Sequence, residues 1–191
     1  MKGAPGKTGL RIVAGEWRGR KLAAPEGDTT RPTADRTRET LFSMLASRLG
    51  TFEGLKVADL FAGSGALGLE ALSRGAAHCL FVDQDAAAIR AIRSNIANLH
   101  AQSRSDVRAA SALSLGAARE PLDLVLLDPP YDTGAGAVAI DKLARLGWIA
   151  EHTWVSVETA KAETVAIRGF EVESTRDVGK ARLHILRRTG E

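Results

Sequence analysis

Cysteine occurs once among the 191 residues, at Cys79, so no internal disulfide can form and a disulfide-stapled secreted scaffold is excluded. The four histidines, His78, His100, His152 and His184, are scattered, and with a single cysteine they give no metal-ligand spacing. A metal-free protein is therefore expected. No apolar run approaches the roughly 18 residues of a membrane span. The opening Met-Lys-Gly-Ala-Pro-Gly-Lys has no apolar stretch of the secretory kind, and a cytoplasmic location is expected. Aromatic residues are sparse at 5%, and there are no internal repeats or low-complexity tracts. What remains is an ordinary globular composition, 45% hydrophobic and 26% charged, long enough for one sizeable core with a small extension.

The charge is unevenly placed. Residues 1–40 hold nine Lys/Arg against five Asp/Glu, net +4, whereas residues 41–191 hold seventeen against eighteen, net −1. A basic front end suits a polyanion. Residues 1–9 are rich in Gly, Pro, Lys and Thr and are expected to be disordered. After them, Leu10–Ala14, a turn at Gly15–Gly19, and Arg20–Leu22 read as a small β-hairpin. It carries Arg11, Arg18, Arg20 and Lys21, with Trp17 at its tip. Cations around an aromatic ring suit RNA, the former meeting phosphates and the latter stacking on a base; packing of Trp17 onto the main domain is the alternative. A Pro-containing loop follows to Pro32, and Thr33 opens a helix to Leu49. Arg31, Arg36 and Arg38 gather near its start, where positive charge opposes the helix dipole. An anionic ligand, or pairing with Asp35 and Glu39, would offset it. The boundary falls accordingly: residues 1–30 as a basic extension, residues 31–191 as the main domain.

Within the main domain strands and helices alternate. Strands are expected at Leu55–Phe61, Cys79–Val82, Val107–Ala109, Leu122–Leu127 and Trp154–Glu158, with two more at Phe170–Thr175 and Ala181–Arg187. Helices are expected at Ala66–Ala76, Asp85–His100 and Ala135–Leu146, with a weakly specified one at Ser111–Ala118. The pattern predicts a mostly parallel, doubly wound α/β sheet ending in an antiparallel strand. Ligands of such sheets gather at the carboxyl ends of strands. Phe61–Gly65, Asp83, Ala110–Ala112 and Asp128–Tyr131 should then share one cleft.

Two of these strand ends carry chemistry. Gly63-Ser64-Gly65-Ala66-Leu67-Gly68 is a strand-to-helix glycine turn of the G-x-G-x-x-G type, which a dinucleotide site would also explain. Asp59 before it would repel phosphates and suits a cationic ligand such as an ammonium or sulfonium. Asp83, 18 positions past Gly65 (83 − 65) and followed by Gln84, is spaced to take ribose hydroxyls. At the other strand end, Asp128-Pro129-Pro130-Tyr131 offers acceptors and no donors: prolines lack an N–H and fix φ. A carboxylate, the Pro129 carbonyl and a flat ring match a planar base with an exocyclic –NH2. Holding both N–H groups aims the nitrogen lone pair and weakens its conjugation, which favours attack on a sulfonium methyl.

The combination of Asp59-Leu-Phe-Ala-Gly-Ser-Gly65 with Asp128-Pro-Pro-Tyr131 resembles the S-adenosylmethionine-dependent amino methyltransferases. Arg31-Pro-Thr-Ala-Asp-Arg-Thr-Arg-Glu-Thr-Leu-Phe42 and Phe61-Ala-Gly-Ser-Gly-Ala-Leu-Gly-Leu-Glu-Ala-Leu-Ser-Arg74 narrow the resemblance to the RsmD family, bacterial 16S ribosomal RNA guanine-N2 methyltransferases. That resemblance implies a seven-stranded Rossmann-like class I methyltransferase fold, S-adenosyl-L-methionine as cofactor, and guanine 966 of 16S rRNA as target. It also implies a monomer acting on an assembled or assembling small ribosomal subunit, with no membrane or metal partner. Asp59, Phe61, Ala62, Gly63, Ser64 and Gly65 would line the methionine end of the cofactor, and Asp83 and Gln84 the ribose. Ser111 and Ala112 would lie by the adenine. Asp128 would border both the cofactor and the guanine amine, with Pro129, Pro130 and Tyr131 around the base. Arg31, Thr33, Arg36 and Arg38 would join the hairpin cations on the RNA. Many relatives have Asp where Ser111 stands, and often Tyr-Gly-Asp near Val178-Gly179-Lys180. Adenine N6, cytosine N4 or a glutamine amide also offers an –NH2. A nicotinamide oxidoreductase leaves Asp128–Tyr131 without purpose, and a non-catalytic RNA-binding factor is the remaining alternative.

Overall fold

A computed structural model describes residues 9–27 and 32–190, with the side chains of Pro32 and Thr33 outside the description. A two-stranded hairpin comes first, β1 (Leu10–Arg11) and β2 (Lys21–Leu22), paired antiparallel as Leu10↔Leu22 and Arg11↔Lys21. Helix α1 (Pro32–Leu49) begins on a proline, whose missing N–H is one that a first turn leaves unbonded anyway. The main sheet then runs through β3 (Lys56–Leu60), α2 (Ala66–Ser73), β4 (His78–Asp83), α3 (Ala86–Asn98) and β5 (Ser105–Ala109). It continues with β6 (Leu124–Leu127), α4 (Ala135–Arg145), β7 (Trp154–Ala160), β8 (Phe170–Val178) and β9 (Ala181–Arg188).

The seven-stranded sheet has the order β5-β4-β3-β6-β7-β9-β8. Every pairing is parallel except those of β9, which slots antiparallel between β7 and β8. The antiparallel strand is thus the last in the chain but lies one place inside the edge. The direction of winding reverses between β3 and β6, so a crevice opens at their carboxyl ends, where a doubly wound sheet binds ligands.

Both faces of the sheet are covered, which is why its strands are apolar throughout. Along β6, Leu124 and Leu126 face α1, α2, α3 and the hairpin, while Val125 and Leu127 face α4. Each is essentially fully buried, worth roughly 1.5–3 kcal/mol per side chain. Leu10, Ile12, Trp17 and Leu22 of the hairpin segment lie in the same core as Phe42, Leu69 and Phe81. The weakly specified helix at Ser111–Ala118 is instead a single 3-10 turn, Ala112–Ser114, capped by Ser111 Oγ accepting the Leu113 N–H at 3.2 Å. Gly116 and the absence of a continuous apolar stripe leave nothing to extend it.

The three fingerprint glycines have different tasks. Gly63 and Gly65 take positive φ, 58° and 81°, and turn the chain from β3 into α2. Gly68 has ordinary φ but sits where α2 crosses the sheet: a Cβ there would lie 2.5 Å from Phe81 and 2.6 Å from Cys79 Sγ. Gly68→Ala is expected to destabilise the fold by about 1–3 kcal/mol through overpacking, read as a shift in the urea midpoint.

Candidate active site

The row of residues at the carboxyl edge of the sheet forms the site. Asp83 pairs with Ala109, and one residue beyond Leu60↔Val82, Leu60↔Leu127 and Leu127↔Val157 lie Phe61, Asp128 and Glu158. Phe61 itself has φ 55°, a strained conformation for a bulky side chain, which swings Ala62 and Gly63 across towards β4. There the Gly63 N–H bonds Asp83 Oδ2 at 2.9 Å, while Asp83 Oδ1 accepts the Asp85 N–H at 2.9 Å.

Two cavities meet along this row. The larger, about 630 Å³, is bordered by Phe61–Ser64, by Thr37, Arg38 and Leu41 of α1, and by the β8–β9 turn at Gly179 and Lys180. The smaller, about 530 Å³, is bordered by Asp83, Gln84, Ser111, Ala112, Pro129 and Pro130. Phe61, Asp128, Tyr131 and Glu158 border both. A groove therefore joins the tips of β3 and β6, with the Asp128 side chain exposed to it.

The turn after Asp128 is held rigidly. Pro129 is buried, and a Cβ added to Gly136 would lie 3.0 Å from it and from Val157. Thr133 Oγ1 donates to the Pro130 carbonyl at 2.8 Å, and the Asp132 N–H bonds Glu163 across from the β7–β8 connection. These anchors fix the turn that carries the exposed Asp128 and the half-exposed Tyr131 ring.

The sequence reading passed over Glu158. It lies on β7 one residue past the pairing with β6, hydrogen-bonded to Asp128, and its carboxyl is pushed up to about 9 by burial first and then by the hydrogen bond and charge of Asp128. The signal is present in the sequence: the strand expected at Trp154–Glu158 ends on that residue, and the carboxyl-end rule puts it on the same rim as Asp128.

Asp59 is a correction. It borders neither cavity; it is 1% exposed beneath the glycine turn, where Oδ2 accepts the Gly68 N–H at 2.9 Å and Oδ1 has no partner among the described residues. Burial, opposed by that hydrogen bond and then reinforced by Asp128 and Asp83, holds its carboxyl well above the usual range. Gly65 likewise borders neither cavity and caps α2.

The cationic set divides. Arg11, Arg18, Arg20, Lys21 and Arg36 are exposed. Trp17 is not available for stacking: it is 7% exposed, its N–H bonds Ser73 Oγ at 2.9 Å, and Arg104 lies 5.3 Å over its ring. Arg38 is 3% exposed and bonds Glu70, Asp35 and the Arg11 carbonyl, so it is a buried tie rather than a phosphate contact. Arg31 lies outside the described residues, and so does the side chain of Thr33.

The donor set suits a cationic, nucleoside-bearing ligand. Asp83 and Asp128 both border the smaller cavity, and among the described residues no cation pairs with either. The open side of Gly63 has no atom within 4 Å of an added Cβ, leaving room for close approach. Among the described residues there is no group of three metal-ligating side chains, and no helix long and apolar enough to cross a membrane.

Known proteins resemble this chain in sequence and in fold. The family model described as Conserved hypothetical protein 95 matches residues 10–187. Ribosomal RNA small subunit methyltransferase D of Escherichia coli (strain K12) is 41% identical over 150 residues, 78% of this chain and 74% of that protein. The protein of the same name from Haemophilus influenzae is 37% identical over 157 residues, 80% and 79% of the two chains. The solved structure of yhhF from Escherichia coli superposes with a TM-score of 0.82 at 35% identity, covering 96% of this chain and all of that one. Magnesium protoporphyrin IX methyltransferase from Synechocystis, solved with SAM bound, shares the fold at a TM-score of 0.60 and 18% identity, covering 85% of this chain and 87% of that one.

Proposed function

Since this chain belongs to the RsmD family of methyltransferases, we propose that it methylates the exocyclic N2 amine of a guanine in 16S ribosomal RNA, with S-adenosyl-L-methionine as donor. The observation that carries the reading is the Asp128-Pro-Pro-Tyr131 turn, whose Asp128 and Tyr131 stand where the two cavities join. Asp83, Gln84, Ser111 and Ala112 would hold the adenosine half of the cofactor, and Phe61–Ser64 its methionine half. When bound, the cofactor supplies an electrophilic methyl on a sulfonium. Ser111 Oγ, which among the described residues accepts the Leu113 N–H, keeps a lone pair for an adenine amine and so can stand in for a carboxylate.

The chain's own contribution is orientation and proton handling. Tyr131 stacks on the base. Asp128 and the Pro129 carbonyl each accept one N2–H, drawing the nitrogen out of conjugation and turning its lone pair to the methyl. As the N–C bond forms and the S–C bond breaks, the N2 proton passes to Asp128. The exposed Arg11, Arg18, Arg20, Lys21 and Arg36 would meet phosphates of RNA in an assembled or assembling subunit.

The test is transfer of labelled methyl to small-subunit RNA, followed by mass mapping of nucleosides. N2-methylguanosine at one position is the expected product. Label on adenosine or cytidine, or none on RNA, would refute the reading.

A further inference from the structure

We propose that Glu158 selects the base: with its hydroxyl donated to Asp128, it turns a bare carbonyl oxygen to the site and accepts the N1–H of guanine. The inference rests on the base-amine reading above and adds a residue to it. Pairing of Leu126 with Ser156 and of Leu127 with Val157 brings Asp128 and Glu158 side by side on neighbouring parallel strands, pointing to one face. Both border both cavities, and they are hydrogen-bonded to each other.

Two carboxyl groups in hydrogen-bond contact hold one proton between them. Glu158 is the less exposed of the two, so charging it is the more costly, and it keeps the proton. The O–H then points at Asp128. What the pair and the following proline present to the cavity is a row of acceptors: the Glu158 carbonyl, the free Asp128 oxygen and the Pro129 carbonyl.

The edges of the bases differ in the position beside the amine. Guanine carries N1–H next to N2–H2, three donors in a row. Adenine and cytosine carry an acceptor nitrogen next to their –NH2. Against an acceptor-only wall, guanine satisfies every group, whereas either alternative sets two lone pairs face to face and leaves a desolvated acceptor unpaired. One neutral glutamate thereby separates bases that Asp128–Tyr131 alone would treat alike.

The experiment uses the full chain and small-subunit RNA carrying either guanine or 2-aminopurine at the methylated position. 2-Aminopurine keeps the 2-amine but replaces N1–H by an acceptor. Its missing 6-oxygen affects wild type and variants alike and cancels in their comparison. Wild type is expected to prefer guanine by about 10²-fold or more in kcat/KM. Glu158→Leu should cut that preference to within about tenfold, the loss falling on guanine. Glu158→Gln, whose amide donates to Asp128 while its carbonyl meets the base, should fold and keep the preference to within about tenfold of wild type. If Glu158→Leu lowers both substrates equally, Glu158 is merely structural and the inference is overturned. If Leu does not fold, the Gln variant decides: loss of its preference overturns the neutral-acid arrangement. A wild type that methylates both bases equally sinks this inference and leaves the function standing. One that methylates neither sinks the function itself.

Discussion

Asp128→Ala is expected to lose methyl transfer by about 10³-fold or more in kcat, while its affinity for S-adenosyl-L-methionine stays within about tenfold of wild type. The size follows from two roles lost together. The carboxylate is one of two acceptors that fix the amine, and it takes the proton released as the new bond forms. Misorientation of a near-attack geometry and loss of a positioned base are each worth about 10²-fold or more, and they overlap because one side chain supplies both. On the proposed reading the cofactor contacts would be spread over Phe61–Ser64, Asp83, Gln84, Ser111 and Ala112, which border the two cavities, so binding should survive. Asp128→Asn keeps one acceptor oxygen and should retain more activity than Ala. Single-turnover transfer with saturating cofactor, set beside calorimetric cofactor binding, separates the two terms. Full turnover by Asp128→Ala would remove it from the chemistry.

The residues of that argument were legible in the chain because they are local. An apolar run ending in Asp-Pro-Pro-Tyr says by itself that a buried strand stops and a donor-free turn begins. The glycine turn after β3 says as much about the start of α2. The strand count, the helices α1 to α4 and the carboxyl-end cleft followed from the same periodicity, whereas the helix expected at Ser111–Ala118 did not form beyond one 3-10 turn. What was illegible depends on partners far apart in sequence. Glu158 gains its meaning only from β7 lying beside β6, which makes Asp128 its neighbour across 30 positions (158 − 128). Arg38 and Trp17 have the composition of RNA contacts, but Glu70 and Ser73 on α2, 32 and 56 positions away, draw them inward. Asp59 looks like a ligand carboxylate until the Gly68 N–H, nine positions on, claims one of its oxygens. In each case the residue type set what it could bond, and the tertiary pairing set what it does bond.

The same reasoning makes Glu70 the residue whose loss should most damage the fold. Its side chain is fully buried on α2. Oε1 accepts the Val13 N–H at 2.8 Å and Arg38 Nε at 3.2 Å, while Oε2 accepts the Ala14 N–H at 3.0 Å and Arg74 Nε at 3.0 Å. Four donors fill the acceptor sites of one carboxylate, and they come from the hairpin segment, α1 and the residue that caps the end of α2. Replacing Glu70 by Ala leaves two backbone N–H groups unpaired and the buried Arg38 with only Asp35 and the Arg11 carbonyl. Truncating one member of a buried ion pair costs about 3–5 kcal/mol, because the remaining charge stays desolvated. For a chain of this size that is a fall in melting temperature on the order of 10 °C. Glu70→Gln keeps the volume but sets an amide –NH2 against two donors, so it should recover only part of the loss. Urea unfolding of both variants reads the effect, and a change under about 1 kcal/mol for Glu70→Ala would show that the carboxylate is no anchor. The consequence reaches the site as well. Arg38 and its neighbours Thr37 and Leu41 wall the larger cavity, so a loosened α1 opens the groove that Asp128 borders and in which, on the proposed reading, it would hold the base.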